Sequence, residues 1–176
     1  MLFELHGGTR VRIRPIEPGD KAKLAAGLRQ LSDESIRKRF LAAKPRFTSA
    51  ELRYLTEVDG FNHIALVAVL ERNPDQLVGV ARCVRLPDRP DTAEMAIVVG
   101  DPWQGRGLGR ALATALADAA LEAGIERFAA TMLADNVAAR RLMRTFAQRL
   151  EEGRVSGGVR DVVVHLSPRP LFELTI

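Results

Sequence analysis

The chain has 176 residues, 47% of them hydrophobic and 27% charged, with a formal net charge of +4 at pH 7. This balance fits one soluble globular domain spanning residues 1–176 and excludes a collagen-like or disordered chain. A single cysteine, Cys83, excludes a disulfide framework and cysteine-based zinc motifs.

No apolar run approaches the roughly 20 residues a membrane helix needs, and Met1 to His6 does not form a secretory leader. The expectation is a cytoplasmic protein with no membrane partner. The basic residues are scattered and form no tract, which argues against nucleic acid while still favouring approach of a polyanionic ligand. His6, His63 and His165 lie far apart without metal-like spacing, so no metal is expected.

Taken in chain order, Leu2 to Leu5 and Arg10 to Pro15 predict two strands joined through Gly7-Gly8. Pro18 and Asp20 open a helix over 21–31, and a second is expected over 33–40. Thr48-Ser49-Ala50-Glu51 reads as a capping box for a helix reaching about Glu57. Strands follow at His63 to Leu70, Leu77 to Arg85 and Thr92 to Val99, divided by the turn-rich stretches Asn73-Pro74-Asp75 and Pro87 to Asp91. The alanine-rich run Gly107 to Ala123 predicts a helix with Leu108, Leu112, Ala115, Leu116 and Ala119 on one face, closed by Gly124. A strand at Phe128 to Leu133, a helix over Asn136 to Gln148 and a last strand at Val159 to Leu166 complete the series. Ser167 to Phe172 reads as an extended tail. Cys83, inside the apolar run Leu77 to Val84, reads as a buried structural thiol.

Between the strand ending at Val99 and the alanine-rich helix lies Gln104-Gly105-Arg106-Gly107-Leu108-Gly109-Arg110. Glycines there free the backbone to bring N–H groups to an anion, and the helix N-terminus adds partial positive charge. The glycine spacing does not fit the Rossmann fingerprint, because Arg110 stands where the third glycine would fall, and no Gly-Lys-Ser/Thr exists for a Walker loop. Gln-x-x-Gly-x-Gly, read as Gln104, Gly107 and Gly109, resembles the pyrophosphate-binding signature of the GNAT superfamily of acyl-CoA-dependent N-acyltransferases. Two further features stand in the order that superfamily has. Glu94 opens the preceding run Met95 to Val99, and Asn136-Val137-Ala138-Ala139-Arg140-Arg141-Leu142 matches Asn-x-x-Ala-x-x-Leu. The opening Gly8-Thr9-Arg10-Val11-Arg12-Ile13-Arg14-Pro15, with Pro18-Gly19-Asp20, Leu31-Ser32-Asp33-Glu34-Ser35 and Arg39-Phe40, is similar to bacterial Pat-type protein lysine acetyltransferases.

The resemblance implies an α+β fold, a mixed and mostly antiparallel sheet of six or seven strands flanked by four or five helices. It implies acetyl-CoA as co-substrate and a primary amine acceptor, a protein lysine first and a small amine as the alternative, in a monomer or homodimer. A non-catalytic acyl-CoA sensor is a further alternative, against which the presence of Glu94 argues. In that fold two central strands splay apart at a bulge, so that backbone groups of Ile97, Val98 and Val99 would bond the pantetheine amides. The amides of Gln104, Gly105, Arg106, Gly107, Leu108 and Gly109 would cradle the pyrophosphate, with Arg106 and Arg110 available for charge. Asn136 would orient the pantetheine arm and cap its helix.

An amine near pKa 10.4 is protonated at neutral pH, so acyl transfer needs a proton acceptor, for which Glu94 is the candidate general base. Many GNAT members carry a tyrosine one residue beyond the motif leucine. Met143 stands there, which removes a tyrosine acid from this helix.

Overall fold

The computed structural model describes residues 1–44 and 46–167, so the expected tail beyond Ser167 lies outside the described residues. Within them, eight strands form one sheet in the order β1-β2-β3-β4-β5-β6-β8-β7. These are β1 (Leu2–Glu4), β2 (Arg10–Pro15), β3 (His63–Leu70), β4 (Asn73–Leu86), β5 (Arg89–Val99), β6 (Arg127–Leu133), β7 (Ala147–Ser156) and β8 (Val159–Leu166). The helices are α1 (Lys21–Arg29), α2 (Asp33–Phe40), α3 (Ser49–Thr56), α4 (Leu108–Glu122) and α5 (Val137–Arg144), with 3₁₀ turns at Pro18–Asp20 and Asp101–Trp103. β5 and β6 run parallel, while the other neighbours are antiparallel. No helix among the described residues is long and apolar enough to cross a membrane.

The larger core fills the face covered by α4, whose Leu108, Leu112 and Leu116 are all 0% exposed. Each such leucine contributes roughly 1.5–3 kcal/mol by leaving water. Gly79 of β4 makes this close approach possible, since a Cβ there would sit 2.8 Å from Leu112 Cδ1. The opposite face carries a smaller cluster around Ile16, Leu24, Ala65, Val67 and Val80, covered by α1 and α3. Its entry is polar. Asp20, 2% exposed, takes two hydrogen bonds from the Arg14 guanidinium at 2.7 and 2.8 Å and one from the Glu17 amide at 2.9 Å. Those bonds fix the turn that launches α1. The Thr48 box closes as its sequence predicts, the threonine Oγ1 accepting from Glu51 N and the glutamate accepting from Thr48 N.

The sheet exceeds the expected strand number because of β7. The helix expected through Gln148 ends at Arg144, and the chain turns to pair Ala147–Ser156 with β8. β7 is an outer strand with a mostly exposed, polar sequence, so it lacks the alternation by which a half-buried strand announces itself. A signal was nonetheless present in Gly157-Gly158, whose φ values of 58° and 78° meet the left-handed demand of a two-residue hairpin. β4 likewise begins at Asn73, earlier than its turn-forming residues suggest, because Asn73 pairs with Leu70 across the tip of the β3–β4 hairpin.

Candidate active site

β5 and β6 share only three rungs, Thr92↔Arg127, Ala93↔Phe128 and Glu94↔Ala129. Beyond Glu94 the strands part, because β6 follows β8 along its whole length from Arg127↔His165 to Leu133↔Val159. The edge of Met95 to Val99 that faces away from β4 is therefore unpaired, and a cleft of about 700 Å³ opens there. The expected bulge is absent from the described residues: the three β5–β6 rungs show no register shift, and β4 and β5 pair in unbroken register from Gly79↔Val99 to Arg85↔Ala93. Divergence of β6 alone makes the gap. Ile97, Val98 and Val99 all line it.

At the far end of that edge the chain turns through Asp101–Trp103 into the glycine loop. Gly105 and Gly107 have φ of 68° and 89°, a region costly for other residues, and Gly107 is the N-cap of α4 with no capping side chain. The first-turn amides of Leu108, Gly109 and Arg110 are thus left for an outside acceptor, as an anion would be. Leu108 contributes only its amide, because its side chain is core.

Two expectations about this loop need correction. The Gln104 amide is spent on Asp101 O at 3.3 Å, and its side-chain Nε2 donates to Val99 O at 3.0 Å and Ser35 Oγ at 3.1 Å. Gln104 is therefore a brace between β5 and α2. The Arg106 guanidinium is also occupied: Nε donates to His6 O at 3.0 Å, Nη2 to Thr9 Oγ1 at 3.1 Å, and its plane lies 5.2 Å from the Trp103 ring centroid. It ties the β1–β2 hairpin to the loop and is turned away from an anion. Arg110 lines the cleft with no ion pair or hydrogen bond from its side chain among the described residues.

α2 and α5 form the walls. Asn136 lines the cleft and caps α5, its Oδ1 accepting from Ala139 N at 3.1 Å. Met143 is 7% exposed, a core residue with no proton to give. Ser32 and Ser35 of the α2 entry donate to Asp101 at 2.7 and 2.8 Å, which joins the α2 wall to the loop. Burial would raise the Asp101 carboxyl, but the hydrogen bonds from Ser32 and Ser35 outweigh it and hold the group below its ordinary value.

Glu94 occupies the last β5–β6 rung, exposed to the cleft. Cross-strand register puts its side chain on the sheet face that carries His63, Val84, Arg82 and Ala96. Arg82 is 6% exposed, and its Nη1 donates to Leu55 O at 3.1 Å and contacts His63 Nε2 at 3.2 Å. Burial, and then the neighbouring Arg39, lower the Arg82 guanidinium to about 10, which still leaves it charged at neutral pH. Burial likewise lowers Arg39, with Glu94 opposing. His63, 8% exposed and depressed first by burial and then by Arg82, remains neutral. Tyr54 of α3 lies against the His63 ring at 4.9 Å.

The sequence therefore located Glu94, the open β5 edge, the glycine loop and Asn136, and the fold gathers them around one cleft. It did not locate Arg82 or the Arg82–His63–Tyr54 group, which come from three separate elements and have no local spacing. Cys83 points to the other face, is 0% exposed, and burial pushes its thiol up to about 12.

Comparison with known proteins agrees with this geometry. The acetyltransferase (GNAT) family profile matches residues 30–147. The chain is 38% identical over 131 residues, 74% of its length, to the acetyltransferase Pat of Mycolicibacterium smegmatis, of which it spans 39%. It is 27% identical over 116 residues, 65% of its length, to 67% of an L-2,4-diaminobutyric acid acetyltransferase of Methylotuvimicrobium alcaliphilum. Among solved structures, the GNAT domain of S. lividans PAT superimposes with a TM-score of 0.84 at 29% identity, covering 94% of this chain and 96% of that one. With the profile spanning well over half its residues, the chain belongs to the acetyltransferase (GNAT) family.

Proposed function

We propose that this chain is an acetyl-CoA-dependent N-acetyltransferase that modifies a protein lysine ε-amine by direct attack in a ternary complex. The observation that carries the reading is the continuous path from Glu94 along the unpaired β5 edge to the free amides at the α4 N-terminus. That path offers in turn a proton acceptor, backbone partners for an amide-bearing arm and a cradle for a pyrophosphate. Acetyl-CoA has those parts in that order.

The pyrophosphate lies on the amides of Gly105 to Arg110, and the pantetheine arm pairs with the backbone of Ile97, Val98 and Val99, as an added strand would. Asn136 borders the arm from the opposite wall. This places the thioester near Glu94. The acceptor enters from the side of α2 and α3, gives its proton to Glu94 directly or through a water, and attacks the thioester carbonyl. The departing thiolate needs modest help, since a thiol of pKa near 8.5 is a fair leaving group. Water or a backbone amide provides it, because Met143 cannot. Cys83, buried and hard to ionise, takes no part.

Protein lysine is preferred to a small amine through the similarity to Pat; the similarity to the diaminobutyric acid enzyme favours the second reading. Incubation of the purified protein with labelled acetyl-CoA and a cell lysate separates them. Label in precipitable protein is expected. Label confined to small molecules would move the assignment to a small amine, and no label in either fraction would leave an acyl-CoA binder without chemistry.

A further inference from the structure

We propose that Arg39 and Arg82 form a carboxylate-binding subsite beside Glu94, so that the preferred acceptor carries a carboxylate close to the amine that is acetylated. The inference rests on reading the cleft as the acyl-transfer site, and it specifies the acceptor.

Buried charges are ordinarily paired, because removing an ion from water costs several kcal/mol that only a counter-charge or a full set of hydrogen bonds offsets. Arg82, 6% exposed, forms no ion pair among the described residues. Its contacts with Leu55 O and His63 Nε2 are to neutral groups and use Nη1 alone. A guanidinium offers five N–H donors, and Nε and Nη2 have no protein acceptor among the described residues and are not sealed from solvent, so they are open to a ligand. Arg39 is freer still. It is partly buried, lines the cleft, stacks at 4.8 Å over the ring of its neighbour Phe40, and has no hydrogen bond or ion pair among the described residues.

Arg39 senses Glu94, and Arg82 senses Arg39 and Tyr54. Arg82 pairs across the sheet with Ala96 and Glu94 with Val84, which makes Arg82 and Glu94 diagonal neighbours on one face, roughly 7 Å apart at Cβ. Glu94 forms no ion pair with either arginine among the described residues, so it acts on Arg39 from a distance without neutralising it. The ligand that two open guanidinium groups favour is an anion. The phosphates of the co-substrate do not supply it. The glycine loop begins past Val99, five strand residues or roughly 17 Å from Glu94. What reaches Arg39 and Arg82 is the acceptor, and planar guanidinium groups match a carboxylate in geometry as well as charge. An incoming ammonium alone would meet net repulsion from these two cations, which a carboxylate on the same acceptor offsets.

The carboxylate has two sources, an acidic side chain flanking a target lysine in a polypeptide or the α-carboxylate of a free amino acid. Two matched pairs of acceptors distinguish them: a short peptide with its lysine followed by Glu against the same peptide with Gln, and Nα-acetyl-lysine against its carboxamide. In the wild type, kcat/KM for the carboxylate member of at least one pair should exceed that of its amide by roughly 10- to 100-fold. The pair that shows the ratio identifies the source. In Arg39→Gln the ratio should fall to near one while the KM for acetyl-CoA stays as in wild type, and Arg39→Lys should restore part of it. Arg82→Lys, which keeps a donor for Leu55 O, should also lower the ratio. Ratios near one for both pairs in the wild type, or a ratio that survives in Arg39→Gln and Arg82→Lys alike, would overturn the subsite. Absence of transfer to all four acceptors, with acetyl-CoA still bound, would overturn the acyl-transfer reading and the subsite with it.

Discussion

The loop end of the cleft is made of backbone, and the helix-walled end is made of side chains. At the loop end, Gly105 and Gly107 adopt left-handed φ, and the α4 entry presents amides without a cap. At the other end, Glu94, Arg39 and Arg82 arrive from β5, α2 and β4, and their charges face one another with incomplete pairing. In the proposed reading, the backbone donors hold the pyrophosphate of the co-substrate. Side chains can be exchanged without disturbing the sheet, which suits the proposed reading that the acceptor is selected there. The two ends are joined by Gln104 and Asp101, which bond to the α2 entry through Ser32 and Ser35.

The sharpest way to separate the two ends is Glu94→Gln, which nearly keeps shape and removes the proposed base. Turnover at neutral pH is expected to fall roughly 10²- to 10⁴-fold with acetyl-CoA affinity unchanged, and raising the pH should recover part of the loss by supplying neutral amine. Equal kcat/KM at pH 7 would show that the proton leaves by another route.

The sheet face that carries Arg82 is covered by α1, whose entry rests on a polar tie. Asp20→Asn should destabilise the fold by about 2–3 kcal/mol in chemical denaturation, since it leaves Arg14 without its carboxylate. Hydrogen bonds from Arg14 hold the Asp20 carboxyl below its ordinary value of 3.8, against the opposing effect of burial. A depressed carboxyl stabilises the fold above its unfolded value and loses that contribution as pH falls through the folded one. The wild type should therefore lose stability below about pH 4, and the variant should lose less over the same range. Parallel acid profiles for the two proteins would refute the role given to the pair.

The backbone end should respond to geometry and not to charge. Gly107→Val imposes a branched side chain at φ 89°, a strain of about 1–3 kcal/mol, and presses it against Phe3 and His6, so the loop backbone that carries the free amides must shift. Acetyl-CoA affinity measured by calorimetry should fall about 10- to 100-fold, and the carboxylate preference of the acceptor should persist. Unchanged affinity would remove the loop from the binding site.

Much of the fold was legible because its signals are local. The bounds of α2, β3 and β8 coincide with those expected from apolar patterning, and the capping box at Thr48 closed as its spacing requires. β7 was not legible, because an edge strand needs no apolar face, and its pairing with β8 is decided by the turn at Gly157-Gly158. The glycine loop could be read from its residues, yet what its arginines do could not. Arg106 serves the β1–β2 hairpin and Arg110 the cleft, a difference set by what the tertiary structure places within reach of each.

The sequence by itself determined the order of strands and helices apart from β7, the glycines that permit an anion cradle, and a carboxylate on the strand ahead of that cradle. These follow from spacing along one segment, where chain geometry fixes what neighbours can do. Tertiary structure alone decided that β6 leaves β5 at Glu94, that Gln104 braces α2, and that Arg82 shares a sheet face with Glu94 while Arg39 of α2 lines the same cleft. Those facts depend on contacts between elements distant in the chain, whose energies arise only when the sheet has formed and the helices have closed over it.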